Sequence, residues 1–270
     1  MSLYENCFDY KKYINFNFDS IIHNSNDICD NICIVMCTWK RLENLENTLK
    51  MLNNQTIKNI HLYIWNNNYD KSELLFSILS EKIYENLNIS WYNSRENIGG
   101  IGRFLFVKKL LDKICINKVI FIDDDQYFSD NSIEILINNY KPLTSYNWYG
   151  KIFNNNKYWE GTNNMNIKNY KLNNKIKYLD YGGTGFMIID TECFNHPEFF
   201  NFNKKYIFIE DLWLSYFITN NLNYKIINGI ELSNNVFIKK DKNELHVTLY
   251  ELKNEFLEIL INEGNWKLLK

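Results

Sequence analysis

The 270-residue chain has few of the residues that punctuate or staple a fold: two prolines (Pro142 and Pro197), ten glycines and six cysteines. Six cysteines over this length are too sparse for the disulfide framework of a small secreted scaffold. No run approaches the ~18–20 apolar residues that span a bilayer, and the mean hydropathy is −0.38. A net charge of −2 and a pI of 6.1 argue against a nucleic-acid protein held by a basic face. Pro/Gly/Ser linkers and internal repeats are lacking. Residues 1–19 mix acidic, basic and amide side chains, unlike a signal or transit peptide. The expectation is a soluble, cytoplasmic protein.

What is present in excess is Asn, at about 45 positions, with much Ile, Lys and Tyr. This reads as the codon bias of an AT-rich genome, possible also for a viral gene, and it devalues any motif built on Asn. The few glycines are informative for the opposite reason. Six of the ten fall in two clusters, Gly99, Gly100 and Gly102, then Gly182, Gly183 and Gly185. In a glycine-poor chain such clusters mark backbone that bends sharply or approaches a neighbour closely.

Residues 1–30 lack clear periodicity and read as an N-terminal extension; 31–270 read as one domain. Residues 31–37 (N-I-C-I-V-M-C) form a short β-branched apolar run, the pattern of a fully buried strand. Leu42, Leu45, Leu49 and Leu52 have the 3-4-3 spacing of a helix face. Strand patterns follow at 61–65, 89–92 and 118–122, and helical patterns at 72–85 (Leu75, Ile78, Leu79, Ile83) and 100–113. This alternation predicts βαβ units and a parallel sheet covered on both faces. After a helix at 130–140 the rhythm changes. Short strands are expected within 148–159, at 176–179, 184–189 and 224–227, with helices at 210–219 and from Leu249 to Leu260. The fold class is α/β: a Rossmann-like, mostly parallel sheet flanked by helices (31–125), continuous with a mixed α+β half (126–270).

Three constellations carry chemistry. Asp123-Asp124-Asp125 directly follows an apolar strand, and ligands of parallel α/β sheets bind outside the carboxyl ends of the strands. Three adjacent carboxylates repel one another, and hard oxygen ligands suit Mg²⁺ or Mn²⁺; a helix-capping turn needs one Asp, not three. Glu96-Asn97-Ile98-Gly99-Gly100-Ile101-Gly102-Arg103 lies between a strand and a helix, where backbone N–H groups and the helix dipole favour an anion. It is neither a G-x-G-x-x-G nor a Walker A sequence. Glu210-Asp211 follows an apolar stretch and opens a helix; the pair either complements the dipole or supplies a general base. A nucleotidyltransferase would need a Gly-rich loop after the first strand, and 37–41 has no Gly.

The ordered set resembles the GT-A-fold glycosyltransferases, mainly family 2, over about residues 31–220. Ile34-Val35-Met36-Cys37-Thr38-Trp39-Lys40-Arg41 with Gln55-Thr56 resembles the strand–T-Y-N-R–helix–Q-T opening, with Cys37 for the usual Pro and Lys40 for the usual Asn. Asn97–Arg103 followed by Phe104 is similar to the N-x-G-G-x-G-x-F element of galactofuranosyl- and rhamnosyltransferase-like members. Asp123–Asp125 matches D-x-D, Tyr181–Met187 the acceptor-side glycine segment, and Glu210-Asp211 the E-D motif.

The resemblance implies transfer of a sugar from a nucleotide-diphosphate sugar, UDP by default, to a hydroxyl of a glycan, glycoprotein or other acceptor. Asp123 and Asp125 would hold Mn²⁺ or Mg²⁺, with His246 as a third ligand. Thr38, Arg41, Asn66, Asn97, Gly99, Gly100, Arg103, Asp123 and Asp124 would face the donor. Gly183, Thr184, Trp159 and Trp213 would face the acceptor, and Asp211, oriented by Glu210, would take the acceptor proton. Inversion is the expected outcome. The Trp65-Asn66-Asn67 plus Asp-triplet pattern also resembles retaining exostosin-like enzymes, and a non-catalytic relic of the fold stays open beside both. Cys29, Cys33 and Cys37, spaced by four without a partner His, read as buried thiols rather than a zinc site.

Overall fold

A computed structural model of the chain describes residues 3–22, 32–160, 162–163, 177–238 and 249–269. The leading segment forms a one-turn helix, α1 (Lys11–Ile14), and a short strand, β1 (Asp19–Ile21). Then the expected alternation begins. Strands β2 (Ile32–Thr38), β3 (Ile60–Asn66), β4 (Leu87–Asn93) and β5 (Lys118–Ile122) are connected through α2 (Leu45–Asn53), α3 (Ser72–Ser80) and α4 (Ile101–Leu111). These four strands are mutually parallel in the order β4-β3-β2-β5.

The period-2 alternation of β2 divides the core. Ile34 and Met36 pack on one face with Leu42, Leu45, Leu49 and Leu52 and with Leu75 and Leu79 of α3. Cys33, Val35 and Cys37 face the other side, against Phe104, Leu105 and Val107 of α4. Each fully buried side chain of this size contributes roughly 1.5–3 kcal/mol. The Cys33 and Cys37 thiols are buried, and loss of water pushes both up, Cys37 to about 12. Cys29 and His246 lie outside the described residues.

Beyond the parallel block come β6 (Gln126–Phe128), α5 (Ser132–Asn139), β7 (Thr144–Asn147), β8 (Gly150–Ile152), β9 (Thr162–Asn163), β10 (Tyr178–Leu179), β11 (Tyr181–Gly182), β12 (Met187–Asp190), the Glu210–Tyr216 helix, β13 (Lys225–Asn228), β14 (Val236–Ile238) and the C-terminal helix Tyr250–Asn262. The sheet runs through both halves as β1-β4-β3-β2-β5-β12-β7-β13-β10. Strand β12 pairs antiparallel with both β5 and β7, and β13 returns parallel to β7. Smaller sheets join β11-β8-β9 and β14-β6. Among the described residues no helix is long and apolar enough to cross a membrane.

Several elements depart from their expected bounds for local reasons. Helix α3 stops at Ser80: Ile83, which the spacing puts on the buried face, is 76 % exposed, and Tyr84 turns inward instead. Of the stretch expected as strand within 148–159 only β8 forms, and β7 precedes it where none was expected; farther on, an Asx turn from Asn155 to the Lys157 N–H (2.9 Å) leads into a 3₁₀ turn at Tyr158–Glu160. The strand expected from Thr184 begins at Met187, because Gly182–Phe186 is spent on a turn in which Phe186 has φ +59°. The helix from Glu210 changes to a wider π turn after Tyr216.

The first residues are joined to the rest. Strand β1 lies antiparallel on the edge of β4, and Leu3, Phe8 and Phe16 are buried in the core. The Phe16 ring meets Trp65, Tyr92 and Phe106 at centroid distances of 5.2, 4.5 and 5.4 Å. The Leu3 N–H donates to the Glu263 carboxylate at 3.0 Å, across 260 residues of sequence.

Phe16→Ala should cost about 3–5 kcal/mol, the usual penalty for an aromatic removed from a well-packed core. Denaturant unfolding measures it; a loss below ~1 kcal/mol would mean that the leading segment is an appendage.

Candidate active site

The strand order reverses between β2 and β5: the chain runs outward from β2 through β3 to β4, then returns to the other side of β2. Such a switch point opens a crevice at the carboxyl ends of the strands. Thr38 ends β2 there, and Asp123-Asp124-Asp125 follows β5.

The triplet splits between two arginines. Arg41 forms ion pairs with Asp124 (2.6 Å) and Asp125 (2.7 Å), and Thr38 Oγ1 donates to Asp124 at 3.3 Å. Arg103, on α4, pairs with Asp123 at 2.9 Å and donates to the Thr184 carbonyl at 3.2 Å. The side chains of Asp123 and Asp125 are 35 % and 21 % exposed, that of Asp124 only 8 %. The first and third carboxylates therefore face the crevice while the second is built into the wall. Burial, reinforced by its two neighbours against the pull of Arg41, pushes Asp124 up to about 6. Asp125 is raised by burial and by Asp123.

Two glycine clusters make room for carboxylates. A Cβ at Gly185 would lie 2.3 Å from Oδ2 of Asp123, and one at Gly100 would lie 1.6 Å from Oε1 of Glu210. Glu210 reaches the start of α4 only because Gly100 has no side chain. Its burial, with Asp211 and Asp123 near it, pushes it up to about 7, against the pull of Arg103. Asp211 is held at both oxygens: Oδ1 accepts from the Leu212 N–H at 2.8 Å, and Oδ2 accepts from the Tyr181 hydroxyl. Burial, then Asp211, raises Tyr181, which keeps that hydroxyl a donor.

Thr38, Arg41, Arg103, Asp123, Asp124, Asp125, Gly100, Glu210 and Asp211 thus form one connected cluster with the Gly182–Phe186 turn. Gly183 is held in that turn by its N–H to the Tyr149 carbonyl (2.9 Å) and by Asn147 on its own carbonyl (3.0 Å). Asn97 turns back onto the Gly99 N–H (3.0 Å), fixing the loop that Gly99 enters at φ +64°. Two expected contacts do not reach the crevice. Asn66 is fully buried, its amide donating to the Asn68 carbonyl (2.9 Å) and to Asn93 (2.8 Å). Trp213 is a core residue, 1 % exposed, with its indole N–H on the Phe199 carbonyl at 2.6 Å. Trp159 is half-buried and stacks on Tyr250 at 5.2 Å. The residue that ties β3 to the glycine loop is Asn67, which accepts from the Trp65 indole and the Ile98 N–H (both 3.1 Å) and donates to the Gly99 carbonyl (3.0 Å).

This arrangement is that of the GT-A fold. The profile of the family described as glycosyl transferase family 2 matches residues 33–200, and the chain belongs to that family. Among curated proteins none matches the chain in sequence. Solved structures similar to it include the mannosyltransferase PcManGT from Pyrobaculum calidifontis in complex with GDP-Man and Mn²⁺ (TM-score 0.62, 9 % identity, 96 % of this chain and 71 % of that one). TarS 1–349 of S. aureus with UDP-GlcNAc is similar at TM-score 0.57 and 16 % identity, over 88 % of this chain and 68 % of that one. GalNAc-T7 with UDP, GalNAc and Mn²⁺ gives 0.57 and 12 %, over 86 % and 48 %. Against other TarS structures the chain spans 57 % of TarS 1–349 and 35 % of a longer TarS chain.

The raised Glu210 sets a sign for pH dependence. Because its folded value lies above the unfolded ~4.3, the folded state holds the proton more tightly, and stability falls as pH rises from about 4.5 to 7. Glu210→Gln removes this loss. The variant should gain on the wild type across that window, by about 2–3 kcal/mol, and run parallel to it above pH 7. Denaturant unfolding at a series of pH values would refute the assignment if the two curves stayed parallel throughout.

Proposed function

We propose that the protein transfers a sugar from a nucleotide-diphosphate sugar to an acceptor hydroxyl, with inversion at the anomeric carbon. The observation that carries this reading is the pairing of an Asp triplet at the switch point with a further carboxylate, Asp211, held in place at both oxygens in the first turn of the Glu210–Tyr216 helix. PcManGT and GalNAc-T7, with GDP-Man or UDP and Mn²⁺, support a nucleotide-sugar donor and a divalent cation; TarS with UDP-GlcNAc supports UDP as the nucleotide to test first.

The residues present fit such a cation. Five carboxylates, Asp123, Asp124, Asp125, Glu210 and Asp211, face two arginines, and Asp124, Asp125 and Glu210 are all raised, by burial first and by neighbouring carboxylates after it, a repulsion that a cation would offset. The exposed donors are hard oxygens at alternate positions, Asp123 and Asp125, which suit Mn²⁺ or Mg²⁺. Among the described residues no three His, Cys, Asp or Glu side chains already converge on one point; the carboxylates are drawn to the arginines, so donor phosphates would complete the ligand set. A bound cation supplies Lewis-acid stabilisation of the departing diphosphate.

The chain's own residues do the rest. Arg41 holds Asp124 and Asp125, and Arg103, itself buried, orients Asp123. Thr38 and Asn97 with the Gly99–Gly100 turn line the donor side; the Gly183–Thr184 turn and Trp159 line the acceptor side. Asp211 takes the proton of the acceptor hydroxyl as that oxygen attacks the anomeric carbon and the diphosphate leaves with the bonding electrons. The Tyr181 hydroxyl and the Leu212 N–H fix the direction in which the Asp211 carboxylate presents its remaining lone pairs to the acceptor proton. A retaining transfer does not need a base there, which is why this pair of donors on Asp211 favours inversion.

Asp211→Asn keeps the shape and removes the basicity. It should lower kcat by about 10²–10⁴-fold, the usual contribution of a general base, with donor binding nearly unchanged. Product anomeric configuration, read from proton couplings, decides the stereochemistry, and retention would defeat the assignment even with an inactive variant. Asp125→Ala should abolish the metal-dependent part of UDP affinity. Equal UDP binding by wild type and variant, with and without EDTA in calorimetry, would remove the metal from the reading; no UDP binding at all would favour a relic of the fold.

A further inference from the structure

Two lysines beside Tyr158 have no role in the chemistry above. Lys151, on β8, and Lys253, on the C-terminal helix, are 4 % and 8 % exposed. Neither forms an ion pair among the described residues. Their ammonium groups lie 4.2 and 4.8 Å from the centroid of one ring, Tyr158. Lys151 donates to the Tyr158 carbonyl at 3.0 Å, and Lys253 reaches the Tyr158 hydroxyl at 3.5 Å. The Trp159 ring lies 4.9 Å from the same Lys151 ammonium.

Burying a charge without a counter-charge is unfavourable, and burying two like charges around one ring is more so. An apolar side chain would fill either position without that penalty. Burial brings Lys151 down to about 8, with Lys253 pushing the same way and Asp211 opposing. A ring face offers a cation partial compensation, but each ammonium has three donors, and among the described residues the two meet one carbonyl and one phenol oxygen. What would complete this cluster is a group with several acceptor oxygens and a negative charge. The cluster adjoins the acceptor side of the crevice: the Tyr158 and Tyr181 rings are 5.5 Å apart, and the Tyr181 hydroxyl donates to Asp211.

We propose that Lys151, Lys253 and the Tyr158 hydroxyl form an anion subsite that recognises an acceptor carrying a carboxylate or a phosphate ester close to the hydroxyl that receives the sugar. The link to the acceptor rests on the reading of Asp211 as the base; binding of the anion does not. Charge pairing at this subsite selects the acceptor class and holds the hydroxyl on the side of Asp211.

The test is thermal unfolding of the full chain in sodium glucuronate, in glycerol 1-phosphate and in sodium chloride at equal ionic strength, for wild type, Lys151→Met, Lys253→Met and Asp125→Ala. The wild type and Asp125→Ala should rise by several degrees in one of the two anions over chloride, and both lysine variants should stay unmoved. A response to glucuronate names a sugar acid, a response to glycerol 1-phosphate a phosphate ester. A wild type indifferent to both anions overturns the proposal. So does an equal rise in the lysine variants, or a rise that disappears in Asp125→Ala, since the anion would then be sitting elsewhere or in the donor site. Should a methionine variant fail to fold, wild-type protein labelled with ¹³C at lysine Cε answers the same question: the Lys151 titration midpoint should move up when the anion is added, and a fixed midpoint overturns the subsite. Failure of the donor reading would appear separately, as absent UDP binding, and would leave the anion response intact.

Discussion

One buried guanidinium holds the crevice together. Arg103 is on the helix that follows the first glycine cluster, pairs with the first Asp of the triplet after β5, and donates to the turn made by the second glycine cluster. Three segments more than eighty residues apart at their extremes meet on that side chain. It is 5 % exposed, so the charge is stable there only because Asp123 lies beside it, and Asp123 has room only because Gly185 has no Cβ. Losing Asp123 would strip the buried Arg103 of its ion-pair partner, which costs several kcal/mol. The same electrostatic logic spreads outward. Arg41 covers the next two carboxylates, and Glu210, the fourth, is left with burial and repulsion exceeding the attraction of Arg103.

Much of the fold was legible because the βαβ half follows two simple periods. β2, β3, β4 and β5 fall where short β-branched runs predict them, and α2 presents Leu45, Leu49 and Leu52 to one core as their spacing requires. Ends were less legible, since they depend on what the chain meets in space. Ile83 continues a helical stripe in sequence, but the chain has already turned toward β4. Strand β1 carries no periodic signal in three residues; it exists because β4 offers an edge. The β6–β14 pair likewise joins segments with little local pattern, more than a hundred residues apart.

The site shows the same division. Charged and glycine clusters stood out against a glycine-poor background, and the structure brings the Asp triplet, both arginines and Glu210-Asp211 together. Partners that act only through hydrogen bonds did not stand out. Asn67 joins β3 to the glycine loop with three bonds, yet in an Asn-rich chain its type carries no signal, and the adjacent Asn66 was the one singled out. Tyr181 was visible only as the first residue of a glycine segment, whereas its hydroxyl holds Asp211. Trp213 shows the opposite error: a large aromatic beside catalytic-type residues belongs to the core, because the helix that exposes Asp211 turns its next side chains inward.

The bond between Leu3 and Glu263 bears on how the protein is made. On the ribosome Leu3 is made before its neighbours' partners in β4, before the Phe202 region, and 260 residues ahead of Glu263. Contacts so distant in sequence delay the completion of folding, because the entropy of closing the largest loops must be met before those contacts form. Phe16 can be covered once Trp65, Tyr92 and Phe106 have emerged, whereas Leu3 and Phe8 wait for the Phe202 region. The demand on chaperones is then set by the separation between such partners as Leu3 and Glu263.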